Sequence, residues 1–439
     1  MLETFLNIFR VPELRKRIGF TVFMIFIYRV GGHIPTPGIN PQVLGDFLAN
    51  AQNTLFGLYD MFVGGSFSRA TIFALGIMPY ISASIIMQLL GTVFPYINKL
   101  QREGAEGRKK ITQFTRYLTL ALSFFQAIAI SIWLQNITSP ITGQTAVLPQ
   151  LLGIKFTLLT AVSLTTGTIF IMWLGEQITN RGIGNGISLI IFIGIVARLP
   201  DAIFGEIQQI QAGTRHPFSA LLVLAIVLIM TAFIIMMYQA TRRIPIQTPK
   251  RVVGNKMYAG QNTVLPLRLL MAGVIPMIFA SSLMFFPSVL SYFFPKSELV
   301  ENFVGLFAPG RPVYSILYAL MIIFFTYFYT AIIFNPVDIA ENLKRSGGFI
   351  PGIRPGKKTA EFLDRVLTRI TLPASIFLAF IAIVPFLFMG TLKISFFFGG
   401  TSVLIVVGVA LDTLQQLESH LQTRNYEGFM KKGRLRGRR

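Results

Sequence analysis

Long apolar stretches separated by short polar segments dominate this sequence. A helix needs about 20 apolar residues to cross a bilayer, and stretches of that length recur along the whole chain. They predict ten membrane spans, at roughly 18–36, 71–95, 114–135, 151–174, 187–200, 217–239, 267–292, 312–334, 367–390 and 398–420. The expected fold class is an all-α polytopic membrane protein.

Two short motifs occur twice, once in each half of the chain. G-x-x-P-x-I-x-A-S lies at Gly76–Ser84 and Gly273–Ser281, and G-x-S-x-x-I-x-x-G lies at Gly186–Gly194 and Gly400–Gly408. Both motifs keep the same order, which indicates a duplication. Transporters built from such repeats place their functional site between the two halves, near the middle of the bilayer.

The positive charges predict the direction of the spans. Of 39 Lys and Arg residues, 31 fall on one side of the membrane if the N-terminus is cytoplasmic. Cytoplasmic loops are enriched in Lys and Arg, so we expect both termini in the cytoplasm. Each half then has five helices, an odd number, and the halves form an inverted repeat. We assign 1–200 to the N-terminal half, 201–423 to the C-terminal half and 424–439 to a basic tail.

Composition narrows the classes of function. The 439 residues are 53% hydrophobic and 13% charged, carry a formal net charge of +21 and include no Cys. Thiol chemistry is therefore excluded, and the positive charge favours anionic lipids, RNA or acidic partners. The His residues have no metal-ligand spacing, and the chain contains neither a phosphate-binding G-x-x-x-x-G-K-[ST] motif nor a catalytic triad pattern. We expect no enzyme activity, cofactor or metal.

Isoleucines take equivalent places in the repeated motifs. Each motif carries one at its sixth position, and in the N-terminal half another isoleucine lies one helical turn earlier. The six are Ile77, Ile81, Ile187, Ile191, Ile278 and Ile405. Contributed by four helices, they would form a narrow, water-excluding constriction of the kind that gates pores. Ordinary packing in the core or against lipid is the alternative interpretation.

Polar groups are sparse within the spans. Serine, glutamine and asparagine side chains on the repeated helices would form either a weak seam or ordinary interhelical hydrogen bonds, each under about 1 kcal/mol. Of the carboxylates, Glu176 is expected to form a structural salt bridge or cap beside Arg181, and Asp412 has no assigned role. Two long loops on the predicted cytoplasmic side, 241–266 and 335–366, mix Gly and Pro with charges. They either set the topology only or form a docking site.

Several segments resemble the SecY family. GIMPYISASIIMQLL at 76–90 and WLGEQITNRGIGNGISLIIF at 173–192 resemble its two signature regions, and the match runs in one register from about residue 10 to the C-terminus. Further matching segments are HIPTPGI at 33–39, MFVGGSFSRATIFALG at 61–76, MAGVIPMIFASS at 271–282, FNPVDIAENLKRSGGFIPGIRPGKKT at 334–359 and FFFGGTSVLIVV at 396–407. The resemblance implies an hourglass-shaped, protein-conducting channel of two inverted five-helix halves.

The resemblance also implies roles for particular residues. The six isoleucines would form a pore ring. A plug at about 55–68 would include Leu55, Phe56, Gly57, Leu58, Met61, Phe62, Gly64 and Gly65. Spans two and three would part from spans seven and eight as a lateral gate, with the residues Ser82, Gln88, Gln126, Ser282 and Phe286.

Partners follow from the same resemblance. SecE and SecG would be small membrane subunits, and signal peptides, nascent chains and anionic lipids would contact the channel. The two long loops would bind the ribosome, through its RNA and proteins, or the SecA motor ATPase. The docking residues would be Lys250, Arg251, Lys256, Arg354, Lys357 and Lys358. The expected location is the bacterial plasma membrane, with several passes and both termini in the cytoplasm.

The residues leave two other functions open. An ion-coupled secondary transporter with an inverted repeat would need a titratable group buried at depth. An insertase or scaffold without a channel would need a hydrophilic groove and no sealed ring. The channel interpretation needs neither a buried titratable group nor such an unsealed groove, and it requires no chemical reaction by the protein itself.

Overall fold

The computed structural model describes residues 11–40, 43–44, 55–137, 145–213, 216–248, 251–253, 256–258, 262–293, 297–308, 311–392 and 400–432. These residues are mostly helical, as expected where a bilayer offers the backbone no hydrogen-bond partners. The N-terminal half contains α1 (Pro12–Gly31), α2 (Leu55–Phe62), α3 (Met78–Val93), α4 (Pro95–Arg102), α5 (Ala105–Asn136), α6 (Ile154–Arg181), α7 (Gly186–Val196) and α8 (Leu199–Gln211). The C-terminal half contains α9 (Pro217–Gln239), α10 (Ile275–Phe293), α11 (Glu298–Leu306), α12 (Pro312–Ile333), α13 (Pro336–Arg345), α14 (Lys357–Leu392) and α15 (Gly400–Lys432).

Ten of these helices correspond to the ten predicted spans: α1, α3, α5, α6, α7, α9, α10, α12, α14 and α15. In the described part of the chain, seven stretches are long and apolar enough to cross a membrane, one of which joins α7 to α8 and another α12 to α13. An eighth is made by α3 with α4, to which it is bent by 106°. The other two are α10, whose apolar part is the shorter Ile275–Pro287, and α1, which begins with charged residues. The protein is a multi-pass membrane protein.

Two spans begin later than the hydrophobic pattern predicts. α3 begins at Met78 rather than near residue 71, and α10 begins at Ile275 rather than near residue 267. The first glycine of the repeated motif has a positive φ in both halves, +55° at Gly76 and +59° at Gly273. A right-handed helix cannot continue through that conformation. The apolar residues before each glycine therefore lie outside the helix.

The second repeated motif makes the same contact in both halves. A Cβ atom on Gly186 would overlap the carbonyl oxygen of Gly175 in α6, and one on Gly400 would overlap that of Ile381 in α14. Only glycine permits such an approach of two backbones. The motif therefore marks equivalent positions in the two halves, as a duplication requires.

The helices that carry the motifs lie along the boundary between the halves. α3 and α5 pack against α10, and α7 packs against α15. Within each half, α6 packs on α5 and α7, and α14 packs on α12 and α15. One large hydrophobic core runs across this boundary.

The first long loop folds into paired strands, which add a small β element to the helical protein. β1 (Thr241–Gln247) pairs antiparallel with β4 (Asn262–Arg268), and β2 (Arg251–Val253) pairs with β3 (Lys256–Tyr258). The pairing of β4 accounts for the residues near 267 that the hydrophobic pattern assigned to a membrane span.

The two long loops are joined to each other. Gln247 and Phe349 exchange two backbone hydrogen bonds of 2.9 Å. Ile244 of β1, Ile350 of the second loop and Leu363 of α14 share a small separate core. The two predicted docking loops therefore form one structural unit.

We expect Gly186→Ala and Gly400→Ala each to destabilise the protein by about 2 kcal/mol or more, because the added methyl group would overlap packed backbone. Thermal unfolding in detergent measures the effect. Gly205→Ala in α8 is the matched control, since a Cβ atom there would meet nothing within 4 Å. Equal melting temperatures for the three variants would contradict the backbone-to-backbone contact.

Candidate functional site

The predicted plug, residues 55–68, lies in the large core rather than at the surface. Met61 and Phe62 are buried, and Gly57 is half-buried. Met61 Sδ accepts a hydrogen bond of 3.0 Å from Ser402 Oγ of α15. Three of the predicted plug side chains lie outside the described part of the structure, namely Leu55, Phe56 and Leu58.

The glycines of the plug let it lie against α7. A Cβ atom on Gly64 would be 2.9 Å from Gly194 Cα, so the two backbones are in direct contact. Gly64 and Gly65 have φ angles of +70° and +83°, a region that side chains other than glycine rarely adopt. On the α1 side, Tyr28 Oη donates a hydrogen bond of 3.3 Å to Val63 O.

Aromatic rings connect the plug to both sides of the predicted gate. Tyr59 stacks on Phe285 of α10, with centroids 4.3 Å apart. Phe67 stacks on Trp133 of α5 at 5.7 Å, and Trp133 meets Tyr292 of α10 edge to face at 5.4 Å. The plug is therefore in contact with helices of both halves.

The six predicted ring isoleucines all belong to this same core. They come from α7, α10, α15 and the start of α3, the helices along the boundary between the halves. Five are buried, namely Ile77, Ile81, Ile191, Ile278 and Ile405, and Ile187 is partly buried. The structure thus brings their helices together, and the closed ring stays a prediction.

Two of the predicted gate residues meet directly. Ser82 Oγ of α3 and Ser282 Oγ of α10 are 2.9 Å apart, although the residues are 200 positions apart in sequence. A hydrogen bond between hydroxyl groups in a membrane bundle contributes about 0.6 kcal/mol. The contact therefore joins the two halves without holding them firmly.

The other gate residues take different positions. Gln88 Nε2 donates to Ser84 Oγ of its own helix over 3.3 Å. Gln126 of α5 is half-buried. Phe286 lies one helical turn after Ser282 on α10 and is 61% exposed.

The predicted docking residues of the second loop are exposed. Arg354 lies in a turn between Gly352 and Gly356, whose φ angles are +79° and +99°. Lys357 is exposed, and Lys358 Nζ contacts Glu361 Oε2 at 3.2 Å. In the first loop, Lys250 lies outside the described residues, and so do the side chains of Arg251 and Lys256.

A polar cavity of about 400 Å³ opens between the halves on the predicted cytoplasmic side. Asn185 and Ser188 of α7 line it from the N-terminal half. From the C-terminal half, the lining includes Tyr238 of α9, Arg268 at the end of β4 and Asp412 of α15. Asp412, which had no predicted role, thus faces this cavity.

Known proteins share both the sequence and the fold. The family model for SecY matches residues 71–414. The chain belongs to the SecY family. It is 46% identical to the protein translocase subunit SecY of Escherichia coli, over 97% of this chain and 96% of that one, and 45% identical to the Aquifex aeolicus subunit, over 98% and 100%.

Solved structures with the same fold are more distant in sequence. A structure described as a protein conducting channel covers 92% of both chains, with a TM-score of 0.66 and 20% identity. Sec61 in a canine ribosome–channel complex also covers 92% of both, with a TM-score of 0.63 and 18% identity. A third structure covers 92% of both chains, with a TM-score of 0.62 and 20% identity. Its description states that the plug domain of that SecY protein stabilises the closed state of the translocation channel.

Two ion pairs of this SecY family member have partners that sequence reasoning did not name. Glu176 pairs with Arg116 of α5 rather than with Arg181, through contacts of 2.8 and 2.6 Å. The structural salt bridge expected at Glu176 is therefore confirmed, and α5, which packs along α6, brings its partner Arg116 there from 60 positions away. The other pair, Asp60 with Arg198, spans 138 positions. No motif or periodicity relates either pair.

We expect a disulfide to form under mild oxidation when Ser82→Cys and Ser282→Cys are combined. The chain has no Cys of its own, and the two Oγ atoms are within reach of a 2 Å sulfur–sulfur bond after about 1 Å of movement. Mobility on a non-reducing gel, after cleavage between the halves, measures it. Ser82→Cys alone is the control, and a double variant that forms no more disulfide between the halves than this single variant would contradict the position of the serine pair.

Proposed function

We propose that this protein is the channel subunit of a protein translocase. It passes unfolded preproteins across the bacterial plasma membrane and releases apolar segments sideways into lipid. Family membership over nearly the whole chain carries the proposal. The plug, buried between two halves that share motifs, supports it because a closed protein channel needs a removable obstruction of this kind.

The six isoleucines would form the narrowest point of the pore. An apolar ring excludes water and ions when the channel is at rest. Isoleucine side chains adapt to a passing polypeptide without forming specific bonds, so the ring suits substrates of any sequence. Their burial in one core, on helices from both halves, supports this role.

The boundary between α3 and α5 on one side and α10 and α12 on the other would be the lateral gate. A weak hydrogen bond between Ser82 and Ser282 joins the two sides of this boundary. An apolar signal peptide that inserts there replaces protein–protein contacts with equally apolar ones, so opening costs little. Gln88, Gln126 and Phe286 would line the same route.

The joined loops 241–266 and 335–366 would dock the cytoplasmic partner. A ribosome presents RNA phosphates and a SecA-type motor presents acidic side chains, and exposed Lys and Arg attract both. Arg354, held in its turn by two glycines with positive φ, is the residue with the most defined position. Both chain termini would lie on this side, and anionic lipid headgroups would contact its basic surface. SecE and SecG would pack against the outer helices.

An ion-coupled transporter is the second candidate, and Asp412 is the observation that favours it. Its carboxylate lines the polar cavity near Arg268, at the end of the bundle rather than among the isoleucines. A transporter of this class needs its titratable group at the midplane. The channel therefore accounts for more of the structure.

The disulfide between Ser82→Cys and Ser282→Cys tests the proposal. Vesicles containing the purified complex should translocate a preprotein when the bond is reduced and fail when it is oxidised. The single variant Ser82→Cys should remain active under both conditions. Flux of a small ion-coupled solute without any preprotein transport would overturn the proposal in favour of the transporter.

Polar substitutions in the ring should loosen the closed channel. Each buried methylene contributes about 0.8 kcal/mol, so Ile278→Asn or Ile405→Asn should raise ion conductance about tenfold or more. Proteins with weak signal sequences should also pass more readily. Ile226→Asn in α9 is the control outside the motifs. If ring and control variants gave the same conductance, the isoleucines would be ordinary packing residues.

Charge reversal at Arg354 should weaken partner binding. We expect Arg354→Glu to reduce affinity for a SecA-type motor or for ribosomes by about tenfold, because one attractive contact becomes repulsive. Co-sedimentation with vesicles measures the affinity. Lys344→Glu, an exposed reversal in the same loop, is the matched control. Equal loss in both variants would show a general charge effect without a docking site at Arg354.

A further inference from the structure

We propose that the ion pair between Asp60 and Arg198 is a latch that holds the plug closed and sets how strong a signal sequence must be to open the channel. The inference rests on the proposed function, because it assigns specificity-determining residues to that same channel. Asp60 belongs to the plug helix α2, and Arg198 joins the end of α7 to α8.

The pair has the geometry of a defined, partly enclosed contact. Arg198 Nη1 lies 2.5 Å from Asp60 Oδ2, and the other carboxylate oxygen accepts a hydrogen bond of 2.8 Å from Ser68 N. The side chain of Asp60 is 7% exposed and that of Arg198 is 21% exposed. One carboxylate thus fixes the turn of the plug and ties that turn to α7.

Arg198 also packs against the plug backbone at Gly65. A Cβ atom on Gly65 would lie 3.5 Å from Arg198 Nε, so the guanidinium packs over the glycine turn. The neighbouring Gly64 touches Gly194 of the same helix. The latch therefore acts where the plug and α7 are already in backbone contact.

On the α1 side, Arg29 Nη1 also donates a hydrogen bond of 3.4 Å to Gly64 O in the plug. The described plug contacts to the C-terminal half are of a different kind and include the stacked rings of Tyr59 and Phe285 and the hydrogen bond from Ser402 to Met61 Sδ. Such contacts are short-ranged and interchangeable with contacts to an apolar signal peptide. An apolar signal peptide cannot replace a charge pair, because the strength of the pair depends on a low local dielectric and on both partners being present.

The pair biases one state of the channel only. When the plug moves away, both charges regain water on the outer side, whereas loss of one partner in the closed state leaves the other poorly solvated. The contact therefore contributes to the free-energy difference between the closed and open states. A signal sequence must supply that free energy when it binds. A stronger latch demands a more apolar signal.

The test uses the complete translocase in planar bilayers and in vesicles. Asp60→Asn and Arg198→Gln should each raise resting ion conductance by about tenfold and should speed translocation of a preprotein with a weakened signal sequence. The effect of the double variant should be smaller than the sum of the two single effects, because both substitutions remove the same contact. Arg198→Lys keeps the charge and should stay near the parent protein.

Controls remove one charge of each sign from the outer surface, by Asp201→Asn and Arg311→Gln, both at exposed positions. If Asp60→Asn and Arg198→Gln had the same conductance and signal stringency as these controls, the latch would be overturned. Additive effects in the double variant would also overturn it, and so would an Arg198→Lys variant with the conductance of Arg198→Gln. Melting temperature separates misfolding from opening. Translocation of a preprotein with an intact signal should continue in every variant, and its absence from the parent protein would instead refute the channel.

Discussion

The non-helical backbone of residues 63–77 must find all its hydrogen-bond partners inside the protein, and the arrangement of the helices follows from that need. Irregular backbone at membrane depth is tolerated only where protein or a water-filled cavity surrounds it. Within this segment, Gly65 N donates to Asp60 O and Thr71 N to Ser66 O. Ile72 N donates to Ile34 O, three residues after the end of α1. The helices of both halves then enclose the segment.

The contacts within the N-terminal half are stronger than those across the boundary between the halves. Inside the N-terminal half, α6 is joined to α5 by the two-pronged contact between Arg116 and Glu176, and α7 lies backbone to backbone on α6 at Gly186. Across the boundary, the serine pair and stacked rings are weaker and less specific. Motion is therefore easiest between the halves, which is where the proposed gate lies.

A duplication would explain why the repeated motifs take equivalent positions in the two halves while the predicted plug occurs in one half only. Equivalent glycines at 76 and 273 stop the backbone from entering the helix early, and both helices start two residues later. Ile81 and Ile278 thus reach the core at matching positions. The predicted plug and its ion pair come from the N-terminal half alone, so the proposed control of the closed state would be an addition to a symmetric scaffold.

Local sequence was sufficient for the ten spans, their expected direction, the equivalence of the motifs and the family, because apolar length, charge bias and short repeats are properties of neighbouring residues. It was also sufficient to nominate the isoleucines. Tertiary structure decided where α3 and α10 begin, that the first long loop forms strands, and which polar groups meet. Ser82 with Ser282, Glu176 with Arg116, and Asp60 with Arg198 are pairs formed across 60 to 200 positions. Helix packing determines such contacts, and no pattern along the chain records it.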